Sequence, residues 1–176
     1  MLKFLPSTAI AFFALTISFA TIAQTYPVRP IKFLVPLAAG STADILSRTI
    51  GAELARELGQ AVVVENKAGA GGTIAMAELA RSAPDGDTIA FASQGTLVFN
   101  LSLYAKPGYD SLKDFAPIAL AGGVSNIMVV PPNSPIKSAA DFAAAAKAKP
   151  GMTFSSGGSG TSHHLSGVLF GQMTQT

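Results

Sequence analysis

Three times in this chain a short apolar run gives way to a loop of glycine and small residues and then to a helix start: at Gly40 to Thr42, Gly69 to Thr73 and Ser155 to Ser162. At such a junction the first backbone N–H groups of the helix have no intrahelical acceptor, and the positive helix end faces whatever occupies the loop. A chain that repeats this unit alternates strands with helices, so the expected class is α/β. The junctions themselves suit a bound anion.

The segments between the junctions support that reading. Ile31-Lys32-Phe33-Leu34-Val35 reads as a buried strand stopped by Pro36. A helix is predicted over 42–58, with Leu46, Ile50, Leu54 and Leu58 forming its apolar stripe and Gly59 as its stop. Residues 61–65 contain three consecutive valines and read as a second strand. A second helix is predicted over 73–81, a turn at Pro84-Asp85-Gly86, and a third strand over 88–92. The stretch 93–107 reads as a short helix plus loop. Further strands are expected at 118–120, 127–130 and 152–155. Ser138 with Asp141 forms a capping box for an Ala-rich helix, and Thr161 or Ser162 caps a last one.

Composition removes several function classes. With 12 Lys+Arg against 10 Asp+Glu among 176 residues and no basic run, nucleic acid is excluded as the expected partner. No cysteine is present, which removes disulfides, thiolate metal sites and thiol nucleophiles. Lys3, an apolar stretch over 8–20 and the small residues Thr21 and Ala23 before Gln24 read as an export signal over 1–23. The stretch is shorter than the about 20 residues a spanning helix needs. The expected location is therefore the periplasm.

Chemistry-bearing residues are sparse. The loop Asn66 to Gly72 is rich in glycine, but neither Gly-Lys-Ser/Thr nor the Gly-x-Gly-x-x-Gly spacing is present, so no nucleotide cofactor is expected. His163 and His164 have no carboxylate nearby to complete a metal site. Ser162 or Ser166 with His164 leaves a hydrolase as an alternative, without a nucleophile elbow to support it. Asp44, early in the first helix, is expected to bond neighbouring amides or Arg48 at spacing four rather than act as a base. These residues fit binding better than turnover.

An ordered set of motifs carries a resemblance. Tyr26-Pro27-Val28-Arg29-Pro30-Ile31 leads to Val35-Pro36, the Gly40 loop, Asp44 and Arg48; Val64-Glu65-Asn66-Lys67 leads to Gly69-Ala70-Gly71-Gly72 and Pro84-Asp85-Gly86. Lys113-Asp114-Phe115-Ala116-Pro117, Lys147-Ala148-Lys149-Pro150-Gly151 and Gly160-Thr161-Ser162-His163-His164-Leu165 come after them. In this order and spacing the set resembles the Bordetella uptake gene (Bug) family, periplasmic solute receptors of the tripartite tricarboxylate transporter type. The resemblance covers essentially all the chain beyond Gln24.

The resemblance implies a two-domain, type II periplasmic-binding clamshell. Residues 24–122 would form the first α/β domain and 123–176 the start of a second, with the crossover at Gly122-Gly123. It implies a small di- or tricarboxylate or an acidic amino acid as ligand, held by backbone amides and water. Transporter membrane subunits or a sensor kinase would be the partners, no cofactor would be needed, and the complete receptor would be a monomer. Matching the family's motifs, the cleft loops would be Leu37 to Asp44, Ser93 to Thr96 and Ser155 to His164, with ligand contacts at Ala39, Gly40, Ser41, Thr42 and Asp44 in the first. Ser93, Gln94 and Gly95 would serve in the second, and Ser156, Gly160, Thr161 and His164 in the third. The Gly69 to Thr73 turn is a family signature expected to stand outside the contact set. Two departures stand out. Ala39-Gly40-Ser41 replaces the family's Pro-Gly-Gly, and the chain stops at Thr176, before the family's usual end. A fragment, incomplete in the second domain, is therefore expected, with a non-binding remnant as the further alternative.

Overall fold

The structure is a computed structural model and describes residues 26–176; the expected export signal and its cleavage point lie outside the described residues. β1 (Ile31–Val35) is the middle strand of a three-stranded parallel sheet, with β2 (Val62–Asn66) on one side and β3 (Thr88–Ala90) on the other. Ile31 pairs with Val62 and Val35 with Asn66, while Lys32 pairs with Thr88 and Leu34 with Ala90. Parallel neighbours need crossovers. α1 (Thr42–Leu58) makes the first, and α2 (Thr73–Ala80) the second. The central strand carries the most apolar sequence, and Leu34 and Val35 are fully buried.

The first helix forms where expected but buries a different face. Its buried residues are Ala43, Asp44, Ser47 and Gly51, whereas the stripe Leu46, Ile50 and Leu54 is only half-buried and Leu58 is exposed. A β-carbon at Gly51 would stand 3.2 Å from Val62 Cγ1, so the helix rests close on β2. Only a line of small residues at spacing four admits that approach, and the larger side chains flank it. Gly59 ends the helix at φ 66°, its N–H donating to the Ala55 carbonyl.

After β3 the character changes. A π-turn over Gly95–Phe99 runs into the short helix α3 (Asn100–Leu103), which resolves the expected helix plus loop. The segments 118–120, 127–130 and 152–155, expected as strands, join no ladder among the described residues. Leu120 is 93% exposed, and Ile118 and Val129 are each 82% exposed. A strand exists through its ladder, and these segments have no partner among the described residues. α4 (Ala139–Ala148) is capped by Ser138, whose Oγ accepts the Asp141 N–H at 3.1 Å. The reciprocal arm reaches one residue further than in a capping box, with Asp141 Oδ2 accepting the Lys137 N–H at 3.1 Å. α5 (Ser162–Thr174) is capped by Thr161. Phe142 of α4 meets Phe170 of α5 with ring centroids 5.7 Å apart.

Candidate functional site

An open cavity of about 320 Å³ lies past the C-terminal ends of β1 and β2, the place where open parallel sheets receive ligands. Its walls are residues 36–38, 68–72 and 157–159, with Tyr104 as the one large side chain. None of these residues is charged. A smaller depression of about 70 Å³ shares Pro36, Leu37 and Gly71 with it and is completed by Ser93, Thr96, Thr161, Ser162 and His163. The walls are therefore small apolar residues and glycine main chain, with hydroxyls at Tyr104 and Ser159 in the larger cavity and at Ser93, Thr96, Thr161 and Ser162 in the smaller.

Close packing holds these walls together. The Asn100 side chain, fully buried, donates from Nδ2 to the Gly71 carbonyl at 2.9 Å. Tyr104 donates its hydroxyl to the Ser159 carbonyl at 3.1 Å. Gly71 has φ 62°, and a β-carbon there would collide with the Ser159 carbonyl oxygen. One at Gly160 would collide with Asn100 Oδ1. Glycine is required at both places by the contact between the two loops.

The first loop is held from beneath by Asp44. Its Oδ2 accepts the Gly40 N–H at 2.9 Å, and its Oδ1 accepts Arg48 Nη2 at 3.0 Å and Asn66 Nδ2 at 3.0 Å. The Arg48 hydrogen bond, and after it the Gly40 amide, holds this carboxyl down at about 2, against the opposing pull of burial. Ser41 Oγ accepts the Asp44 N–H at 3.2 Å and so caps α1.

The model of the tripartite tricarboxylate transporter family receptor matches residues 46–174. The chain belongs to that family. The BugT protein of Bordetella pertussis is 38% identical over 150 residues, covering 84% of this chain and 46% of that protein. A Cupriavidus necator protein named for its position in the gbd 5′ region is 40% identical over 144 residues, covering 81% of this chain and 43% of its own length. Among solved structures, an R. palustris protein with adipate superposes with a TM-score of 0.81 at 33% identity, covering 86% of this chain and 51% of that one. MatC from Rhodopseudomonas palustris with bound malate gives 0.74 at 30% identity, with 86% and 52% covered. The fold is that of periplasmic binding proteins: one similar structure is described as the periplasmic binding protein BugD and another as a periplasmic transporter. The chain spans about half the length of the relatives it matches.

Against that family background, the residues singled out from sequence separate into four groups. Ser93 and Thr161 line the smaller depression. Of the expected first cleft loop, Leu37 and Ala38 line the cavity together with Pro36, while Ala39, Gly40, Ser41, Thr42 and Asp44 lie just beyond the lining. The Gly40 N–H is engaged by Asp44 and the Ser41 N–H by the Ala38 carbonyl; among the described residues the Ala39 and Thr42 amides have no acceptor. Gln94, Ser156 and His164 line neither depression. Ser156 is exposed and its Oγ accepts the Gly158 N–H at 3.3 Å. His164 stacks on Phe154 with centroids 6.3 Å apart, and its buried Nδ1 has no partner. Gly95 and Gly160 serve packing, since a β-carbon at Gly95 would lie 2.8 Å from the Gly160 carbonyl oxygen.

The turn at Gly69 to Gly72, expected outside the contact set, forms a wall of the larger cavity. Thr96 closes the expected second cleft loop, whereas Tyr104 and Asn100 belong to the site without having stood out in the sequence. Tyr104 carries a signal there, an aromatic with a polar tip after the apolar Leu97, Val98, Phe99, Leu101 and Leu103. For the hydrolase alternative, Ser162 Oγ donates to Asn126 Oδ1 at 3.4 Å and Ser166 Oγ accepts Asn126 Nδ2 at 2.9 Å. Neither serine is hydrogen-bonded to a histidine.

Proposed function

We propose that the whole protein is a periplasmic receptor that binds a small di- or tricarboxylate and delivers it to a tripartite tricarboxylate transporter. One observation carries the ligand class: the cavity lies where glycine-rich main chain leads into the start of α2, and its lining of small apolar residues and a few hydroxyls holds no charged residue. Amide dipoles and a helix start can hold a carboxylate, directly or through water, without a side-chain cation. The relatives solved with adipate and malate support the same class.

An acidic amino acid is the weaker candidate, and Asp44 is the reason. An α-ammonium needs an acceptor, and the carboxylate of Asp44 already receives Gly40, Arg48 and Asn66. In this proposal residues 24–122 build the first lobe and 123–176 begin the second. The joint is Gly122-Gly123, around which a β-carbon would find open space.

Calorimetry of the full-length protein against adipate, malate, citrate and aspartate tests the reading. Saturable heat with at least one plain carboxylate, and weaker or absent heat with aspartate, is expected. Binding of sugars or cations with silence toward every carboxylate rules it out.

A further inference from the structure

The side chain that fixes the first cavity wall stands outside the cavity. The sheet ladder ends where the Lys67 N–H donates to the Val35 carbonyl at 2.8 Å. Pro36, next in line, has no N–H to offer. Beyond it the Asn66 side chain takes over. Its Nδ2 donates to the Leu37 carbonyl at 3.0 Å and to Asp44 Oδ1 at 3.0 Å, while its Oδ1 accepts Arg48 Nη2 at 3.2 Å. Among the described residues no other donor reaches the Leu37 carbonyl. Leu37 lines both depressions.

The geometry points to Asn66 as a positioning residue for ligand binding: through the Leu37 carbonyl it sets where the main chain of residues 36–38 stands, without touching the ligand. Only a side-chain amide meets the requirement here. Aspartate lacks the two N–H donors that Leu37 and Asp44 take up, and a lysine or arginine lacks the oxygen that Arg48 uses. For its affinity arm this inference rests on the receptor reading above; its structural arm stands alone.

The test is a pair of variants of the full-length protein. Asn66→Asp sets two carboxylates side by side and removes both donors, so loss of folding and loss of binding go together. Combining Asn66→Asp with Asp44→Asn restores one amide and one carboxylate. The hydrogen bond between positions 44 and 66 and the pairing with Arg48 re-form, and position 44 still accepts the Gly40 N–H. The Leu37 carbonyl alone stays without its donor. The double variant is expected to melt close to wild type, yet to bind adipate or malate about tenfold more weakly, the worth of one hydrogen bond. Its Gly40 and Ser41 amides should exchange faster than in wild type while those of Phe33 and Leu34 do not. A double variant with wild-type affinity and wild-type exchange at Gly40 and Ser41 overturns the assignment. If wild type ignores both acids, the receptor reading fails, and the exchange comparison by itself decides the role of Asn66.

Discussion

Helix α1 in the first part of the chain and helices α4 and α5 in the second begin with the same device. Ser41, Ser138 and Thr161 each accept the N–H three residues on, at 3.2, 3.1 and 3.3 Å. Past their caps the helices diverge. α1 lays Ala43, Ser47 and Gly51 against the sheet, whereas α4 and α5 bury no residue fully. The apolar runs beside them, such as Ile118 and Val129, are exposed. A helix start is settled by a few adjacent residues; a core requires a second surface. The sheet supplies that surface only to the first part.

Truncating one leucine in each part puts this contrast to its most severe test. Leu34→Ala, in the fully buried central strand, should lower stability by about 2–5 kcal/mol in urea unfolding. Leu120→Ala, 93% exposed, should stay within about 0.5 kcal/mol of wild type. Equal losses would show that the second part has a core of its own.

Glycines offer a finer measure. Gly71→Ala meets both a positive φ and the Ser159 carbonyl, so its cost should exceed the about 1–2 kcal/mol that a left-handed conformation alone imposes. Gly151→Ala, at φ 85° with open space around it, should cost only that smaller amount. A thermal melt in which the two variants coincide would mean the loop contact at Gly71 is not made.

Acid provides a gentler probe. The folded chain binds the Asp44 proton less readily than the unfolded chain does. This carboxylate therefore stabilises the fold fully above its ordinary value of 3.8, and the contribution is lost as pH falls through about 2. Asp44→Asn should lower the melting temperature by a few degrees at neutral pH and flatten its fall over that acid window. An unchanged acid limb in the variant would remove Asp44 from the account.

The smallest difference is expected between caps. Ser41→Ala should cost about 1 kcal/mol in cooperative unfolding, because α1 is packed on the sheet. Ser138→Ala should act locally, speeding amide exchange at the start of α4 with little change in the global transition. A full shift of the global transition by Ser138→Ala would tie α4 to the core.

These contrasts also explain which features are legible in the sequence. The caps at Ser138 and Thr161, the three paired strands and the ties of Asp44 to neighbouring amides and Arg48 all depend on neighbours within a few positions or on a continuous apolar run, whereas Ser41, expected as a ligand contact, caps α1. The line Ala43, Ser47 and Gly51 is hidden because small residues on an otherwise leucine-rich helix announce no face until a sheet comes close. The cavity wall at Gly69 to Gly72 is hidden for a similar reason. Its role arises from Ser159, Asn100 and Tyr104, which lie at least 28 positions away in the sequence. The runs at 118–120 and 127–130 carry a strand pattern, but a pattern cannot supply its own ladder.

An uncharged cavity also sets the reach of the site. A side-chain cation attracts an anion across about 8 Å at physiological salt, the distance over which ions in solution screen it. Peptide dipoles lose their pull much sooner, because the opposite end of each dipole lies only a bond length or two behind. The lining residues 36–38 and 68–72 thus contribute an attractive field only on near contact. Under the receptor reading proposed above, such walls would discriminate among anions by shape and hydrogen bonding at contact rather than by a charge in the lining.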